Sequence, residues 1–461
     1  MSEQLFWNAE METKSMDEIH DIQWQKLQKQ IKYIYQNSPD FYRPQFVSAG
    51  VRPEDIESFE DFRKLPIMRN KEMDRAAQLE SMDRYGHSYG TYLCAPLNDV
   101  IHIYSTSGTS GEPSFYTFTE QDMKINDECW ARTFWRAGIR PGDTVLHGFG
   151  LSMWSAGVPI VRALASMGAR PIAAGAEGGI ERMLMFAHLT KPTALVGTPS
   201  LAEYIIEKCP KILGYPASGL GIKTLVVAGA PGAGLPEVRH RITEGFGGAK
   251  LFDSSQGAWG LGNVSCDSNE YQGMHVISPE HCIWTDLVDP NSKEPIVLED
   301  GAIGEGVITA FDHQAGPPFR YAFGDTLQLF TAPCSCGTPG WRFKILGRVD
   351  DLLNVKGIKV YPAAVRNVIN SFAPRTTGEM RIVLDSPPPA VNPPLRIKVE
   401  YGVGLIDTEI EALCKELVVK LKNRLRFTAE IEMVKPESLE RSTLKGKLIE
   451  KTFDETIQKE D

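Results

Sequence analysis

The sequence predicts an α/β protein in two parts. A large N-terminal body combines parallel sheets and their covering helices with a β-rich subdomain, and a small α+β unit follows. Three observations predict this. From residue 100 to about 252, helical stretches alternate with short apolar runs, as parallel strands with crossover helices require. From residue 273 to 330 the helical signal weakens and alternating stretches suggest antiparallel strands. Beyond Gly347-Arg348-Val349-Asp350-Asp351, about 110 residues remain, enough for a small domain. The expected division is therefore a large unit over 1–347, a short connection at 348–351, and a small unit over 352–461.

The first element is an amphipathic helix from residue 16 to about 36. Ile19, Ile22, Leu27, Ile31 and Ile34 recur at helical spacing, and Asp17 and Glu18 complement its N-terminal dipole. Residues 100–104 and 115–118 alternate as strands around the string from Ser105 to Pro113, so a hairpin-like connection is expected there. Apolar runs at 144–147, 194–197 and 224–228 are read as parallel strands, and the 306–310 run belongs to the antiparallel part. In the C-terminal unit, strands are expected at 380–384 and 395–401 and a helix at 406–425. Ser386-Pro387-Pro388-Pro389 reads as a surface turn.

Composition narrows the function. With 461 residues, 42% of them hydrophobic, the chain can bury a large core. A net charge of -10 disfavours general nucleic-acid binding and leaves small-molecule ligands. No apolar run approaches the ~18 to 20 residues of a membrane span, and the polar start lacks a signal-peptide core. A cytoplasmic location is the default expectation, and a homodimer stays open. Eight cysteines without an export signal point to reduced thiols or a metal site. Cys94, Cys129, Cys209 and Cys414 read as small buried apolar groups.

The chemistry concentrates in a few segments. Thr106-Ser107-Gly108-Thr109-Ser110-Gly111 combines hydroxyls with glycines, so backbone can approach a ligand and N–H groups can hold phosphate oxygens. It is not a Walker loop, because Gly-Lys-Ser/Thr is absent. An ordinary hairpin tip would have the same composition. Downstream lie Gly229-Ala230-Pro231 after an apolar strand, Tyr321-Ala322-Phe323-Gly324-Asp325, Arg348, and Lys445-Gly446-Lys447. An ionised Asp325 offers two acceptor oxygens.

In this order the segments resemble the phenylacetate-CoA ligase family of adenylate-forming enzymes, from Phe6-Trp7 to Lys447. The resemblance implies that Thr106 to Gly111 grip the ATP triphosphate and that Gly229, Ala230 and Pro231 face adenine. It also implies that Asp325 holds the ribose hydroxyls and Arg348 contacts the nucleotide. Asp350 would be the hinge and Lys447 the catalytic cation, with Lys445 its competitor. Gly357, Lys356 and Lys359 would receive coenzyme A. Phe149, Trp154, Ser254 and Trp259 would bound a flat acid.

Two departures stand out. Glu112 occupies the place of a lysine, and in Asp253-Ser254-Ser255-Gln256-Gly257 the Mg2+-holding glutamate is missing. Gln256 takes the Ser/Thr place and Gly257 the Glu place, which leaves Asp253 or Gln256 as substitutes, or phosphates and water alone. Cys266, His275, Cys334 and Cys336 supply donors for a tetrahedral Cys3His zinc site, with His281 and Cys282 as spares, although inert thiols would read the same way. Related ligases show a similar arrangement, which implies a structural zinc. The expected reaction converts an aromatic or arylacetic acid, ATP and coenzyme A to a thioester through an acyl-adenylate. Transfer to an amine or carrier protein, or nucleotide binding without catalysis, are the rival readings.

Overall fold

A computed structural model describes residues 6–105, 113–268, 271–441 and 448–453. The opening helix runs Met16–Asn37, and Ser15 with Glu18 forms its capping box. Its inner face buries Ile19, Leu27, Ile31 and Ile34 as the periodicity requires, and also Gln23 and Gln30. These amides donate to the Pro279 and His313 carbonyls at 2.8 and 2.9 Å, pinning the helix to the β-rich part.

The predicted parallel and antiparallel parts form one continuous sheet. Lys250–Ser255, Thr224–Val227, Ala194–Gly197, Thr144–His147 and Arg170–Ala173 are neighbours in that order, all parallel. At Ser254 the direction reverses, because Asn263–Ser265 folds back antiparallel on Lys250–Ser255. Met274–Val276, Arg342–Arg348, Tyr321–Phe330, Ile303–Ala310 and Cys282–Val288 continue the antiparallel half. The expected hairpin is present as His102–Ser105 paired with Phe115–Phe118. Residues 106–112 lie outside the described residues.

The C-terminal unit has its own core, in which Leu353, Val365, Ile382, Ile397, Leu413 and Leu417 pack together. Its main sheet contains Thr376–Leu384, Leu395–Tyr401, Ala429–Val434 and Ile449–Lys451, covered by the helices Pro362–Asn370 and Asp407–Leu425. The proline-rich 386–389 string is a turn beside this sheet. Ion pairs join the two bodies: Arg366 pairs with Glu203 at 3.3 Å and Lys211 with Glu437 at 2.8 Å. Arg241 pairs with Glu203 and donates to the Thr377 carbonyl at 3.3 Å. No helix among the described residues is long and apolar enough to cross a membrane.

Candidate active site at the junction of the two bodies

The parallel strands end on one edge, where open α/β sheets present loops to ligands. Thr224–Val227 leads into Gly229, whose φ of +86° suits glycine, and then into the short turn Pro231–Gly234. Beside it Lys250–Ser255 carries Asp253 and Ser254, both buried. Asp253 accepts the Tyr271 hydroxyl at 2.6 Å, and burial pushes its carboxyl up to about 6 against that hydrogen bond. Tyr271 packs on the neighbouring turn, since a Cβ on Gly234 would lie 3.3 Å from its ring. Lys344 and Arg239 flank the same ring at 5.6 and 5.7 Å. Nothing in the sequence marked Tyr271, which comes from a loop outside the expected segments.

Asp325 and Arg348 are brought together by register, as directly opposed residues of antiparallel neighbours. The Arg348 guanidinium reaches Asp325 at 3.2 Å and donates to the Phe323 carbonyl at 2.7 Å. It also reaches Asp350 at 3.4 Å. A Cβ on Gly324 would lie 2.5 Å from Arg348 Nη2, and φ there is +76°, so only glycine admits this close approach. Lys71 is a further cation here. Its strand Arg69–Asn70 pairs with Tyr321 and Ala322, and burial, with Arg75 and Arg348 nearby, pushes Lys71 below its ordinary range. More than 250 residues separate Lys71 from Asp325, so sequence spacing gave no signal.

The acid-side residues do not all converge. Phe149 is fully buried and meets the half-buried Trp154 edge-on at 6.1 Å. Trp259 belongs to a different core cluster, edge-on to Tyr116 and Tyr321 at 5.2 and 4.8 Å, around the Arg69 guanidinium. Trp259 is thus a packing residue apart from the Phe149 and Trp154 pair, because alternation along a chain says nothing about which cluster an aromatic joins. Ser254 donates to the Asn263 carbonyl at 2.9 Å. Gln256 donates to Thr133 Oγ1 at 2.6 Å and leaves its buried Oε1 without a partner among the described residues. Among the described residues, Asp253 belongs to no group of three or more carboxylate, imidazole or thiol ligands, and Mg2+ needs few protein ligands when phosphates and water complete its shell.

Lys356 and Gly357, at φ 51° and 92°, form the two-residue turn between Leu353–Val355 and Ile358–Val360, and Asn354 Oδ1 accepts the Gly357 N–H at 2.6 Å. Lys356 and Lys359 are exposed. Thr106, Ser107, Gly108, Thr109, Ser110, Gly111, Glu112, Lys445 and Lys447 lie outside the described residues.

In and beside the antiparallel strands, Cys266, His275, Cys334 and Cys336 place their ligand atoms within 4.8 Å of one another. The Cys266 and Cys334 sulfurs are 3.6 Å apart, and Cys336 Sγ is 3.4 Å from His275 Nε2. Burial, with Arg136 and Arg342 nearby, pushes His275 down to about 3, which keeps its imidazole neutral and able to ligate. Three thiols and a neutral imidazole suit a tetrahedral soft-metal site. The spares do not join them: His281 pairs with Asp312 at 3.0 Å, and Cys282 faces the Ser278 carbonyl. Cys94, Cys129 and Cys209 are buried as expected, whereas Cys414 is only half-buried.

Comparison with known proteins fits this geometry. Residues 357–452 match the family model described as the AMP-binding enzyme C-terminal domain. The phenylacetate-coenzyme A ligase of Thermus thermophilus is 26% identical over 455 residues, covering 95% of this chain and 97% of its own. That of Escherichia coli is 27% identical over 442 residues, covering 94% of each chain. The chain is similar to phenylacetate-coenzyme A ligases over nearly its whole length. It is an enzyme of the AMP-forming acyl-CoA ligase class. A crystal structure of 2-hydroxyisobutyryl-CoA ligase in the postadenylation state, with 2-HIB-AMP, superposes with a TM-score of 0.87 at 24% identity, covering 98% of this chain and 93% of that one. The same ligase in its thioesterification state, with 2-HIB-AMP and CoA, gives 0.68 at 25% identity over the same shares. The two bodies are therefore arranged as in the former.

Proposed function

We propose that the protein joins an aromatic or arylacetic acid to coenzyme A in two steps, with an acyl-adenylate between them and AMP and pyrophosphate released. The Asp325–Arg348 pair carries this reading, because it sets a two-oxygen acceptor and a fixed cation at the seam between the bodies. Asp325 accepts from the ribose hydroxyls, Gly229, Ala230 and Pro231 give adenine a flat backbone wall, and Arg348 keeps the nucleotide against Asp325. Thr106 to Gly111 hold the triphosphate, with Mg2+ arriving on ATP as part of the substrate. Lys447 offers its ammonium where carboxylate attack concentrates charge on the α-phosphate. Rotation about Asp350 then withdraws Lys447 and brings the Lys356-Gly357 turn and Lys359 to the site, where the thiol of coenzyme A displaces AMP.

The aromatic preference rests on Phe149 and Trp154, whose edge-on pair offers one half-buried ring face to a flat substrate. Cys266, His275, Cys334 and Cys336 would hold zinc, which supplies a structural clamp because four protein ligands leave no open position. The division at 348–351 follows the same logic, since residues beyond it build their own core.

The test is incubation with ATP, Mg2+, coenzyme A and a panel containing phenylacetate, benzoate and the aliphatic 2-hydroxyisobutyrate, followed by mass detection of thioesters. Aryl thioesters are expected, and Lys447→Ala abolishes pyrophosphate release. A thioester formed only with the aliphatic acid would overturn the substrate class. No pyrophosphate release with any acid would overturn the activity.

A further inference from the structure

The loop 150–157, which carries Trp154, is held by hydrogen bonds more than by packing. Ser152 and Met153 at its tip are exposed, and Leu151 and Trp154 are half-buried, so no fully buried side chain anchors the tip. The base of the loop is tight. A Cβ on Gly157 would stand 2.4 Å from the Gly150 carbonyl oxygen, and the Gly157 N–H donates to the Trp154 carbonyl at 2.9 Å. Nε2 of the buried His147 lies 2.9 Å from the Ala156 carbonyl oxygen, and the Ser105 N–H donates to the Met153 carbonyl at 2.6 Å.

One side chain takes up the next two donors of the tip. Glu177 accepts the Leu151 and Ser152 N–H groups at 3.0 and 3.3 Å, one on each carboxylate oxygen. It stands on the short turn Ala176–Gly178, which follows the edge strand Arg170–Ala173. That turn is itself moored beside the acid wall, since the Gly175 and Ala176 N–H groups donate to the His147 and Phe149 carbonyls, each at 3.2 Å. A Cβ on Gly175 would fall 2.9 Å from both Glu177 Oε2 and Leu151 Cδ1, at a φ of +67°, so glycine leaves room for the carboxylate to turn back onto the loop. Slight burial raises the Glu177 carboxyl, but the backbone N–H groups outweigh it and hold it below its ordinary range. The residue is exposed, so its partners rather than its burial give it a role.

We infer that Glu177 is a positioning residue for the acid: by holding the Leu151 and Ser152 amides it fixes the loop that carries Trp154, and with it the half-buried ring face offered to a flat substrate. This deepens the proposed activity and rests on the reading of Phe149 and Trp154 as the acid's wall. Without the carboxylate, the tip keeps the Ser105 bond but loses both amide anchors. Ordering the loop then draws on the binding of the acid itself, which weakens that binding.

Steady-state kinetics of the full chain with phenylacetate test this. In Glu177→Ala the KM for phenylacetate is expected to rise about tenfold, the factor that one hydrogen bond to a charged group is worth, while kcat and the KM for ATP stay within about twofold. Glu177→Gln keeps one acceptor oxygen and should recover part of the loss. An unchanged phenylacetate KM in Glu177→Ala would overturn the inference, and so would equal rises in the KM for phenylacetate and for ATP, which would make Glu177 a general structural residue. Hydrogen exchange of the 151–154 amides, followed by mass spectrometry, reads the contact without turnover. Exchange should quicken in Glu177→Ala, and a rate equal to that of the wild type would also overturn the inference. A wild type that uses no aryl acid would instead sink the proposed activity, while exchange still decides whether Glu177 holds the loop.

Discussion

The junction at Arg348 and the cysteine-histidine cluster both gather polar groups, yet they hold them in opposite ways. At the junction the Asp325, Arg348 and Asp350 side chains are 26%, 31% and 70% exposed, and one guanidinium is shared between two carboxylates. In the cluster, His275 and Cys334 are buried, at 1% and 7% exposure. In the proposed cycle the groups of this junction exchange partners, and being partly in water makes breaking their ion pairs cost little. The cluster's other two donors reach water, Cys266 in part and Cys336 openly, so the cluster is anchored on its two buried members, which are satisfied only by staying where they are or through a metal. The seam beyond the junction mixes the two patterns, since the Arg366–Glu203 pair is mostly buried whereas Lys211 and Glu437 stand in water.

The strongest way to break this contrast is Arg348→Ala. It should lower kcat/KM on the order of 100- to 1000-fold, about 3–4 kcal/mol of transition-state stabilisation, while the melting temperature barely moves. A large loss of stability instead would make Arg348 a structural residue like those of the cluster. Cys334→Ser should do the reverse: metal content by elemental analysis falls toward zero and stability drops by about 3 kcal/mol, with the turnover of the folded fraction retained. Chelation of the wild type should reproduce that loss.

Asp253 sharpens the comparison through pH. Its folded carboxyl is held up to about 6, against ~4 unfolded, so between these values the native state binds the extra proton. Stability therefore falls as pH rises through that window, by ~3 kcal/mol at most, and then levels off. Melting curves across the window should show this slope in the wild type and lose that component in Asp253→Asn. The smallest effect is expected at the seam. Glu437→Gln, at the exposed Lys211 pair, should cost ~1 kcal/mol or less and shift small-angle scattering toward a more open arrangement.

Much of the fold was legible because its signals are local. The helix Met16–Asn37 was readable from its apolar spacing, and Ala194–Gly197 and Thr224–Val227 were readable as buried strands. Arg170–Ala173 was missed because it is short and begins with a polar residue. Ala429–Val434 was missed because charged residues alternate through it and only one face packs. Asp325 and Arg348 were recognisable because each sits in a short, ordered string. Tyr271 and Lys71 were not, since each acquires its place only through contacts distant in sequence. Phe149 and Trp259 looked equivalent as aromatics near glycines, yet they fall in separate core clusters.

By itself, then, the sequence determined the main helices and strands, a family resemblance and the chemical types in the segments proposed to meet the nucleotide, because these depend on spacing and on what each side chain can donate or accept. Only the tertiary structure decided that the two kinds of sheet are one, which aromatics share a wall, and that Cys266, His275, Cys334 and Cys336 meet within 4.8 Å. Strand register and burial set these outcomes, and both arise from long-range packing that a pattern of neighbours does not encode.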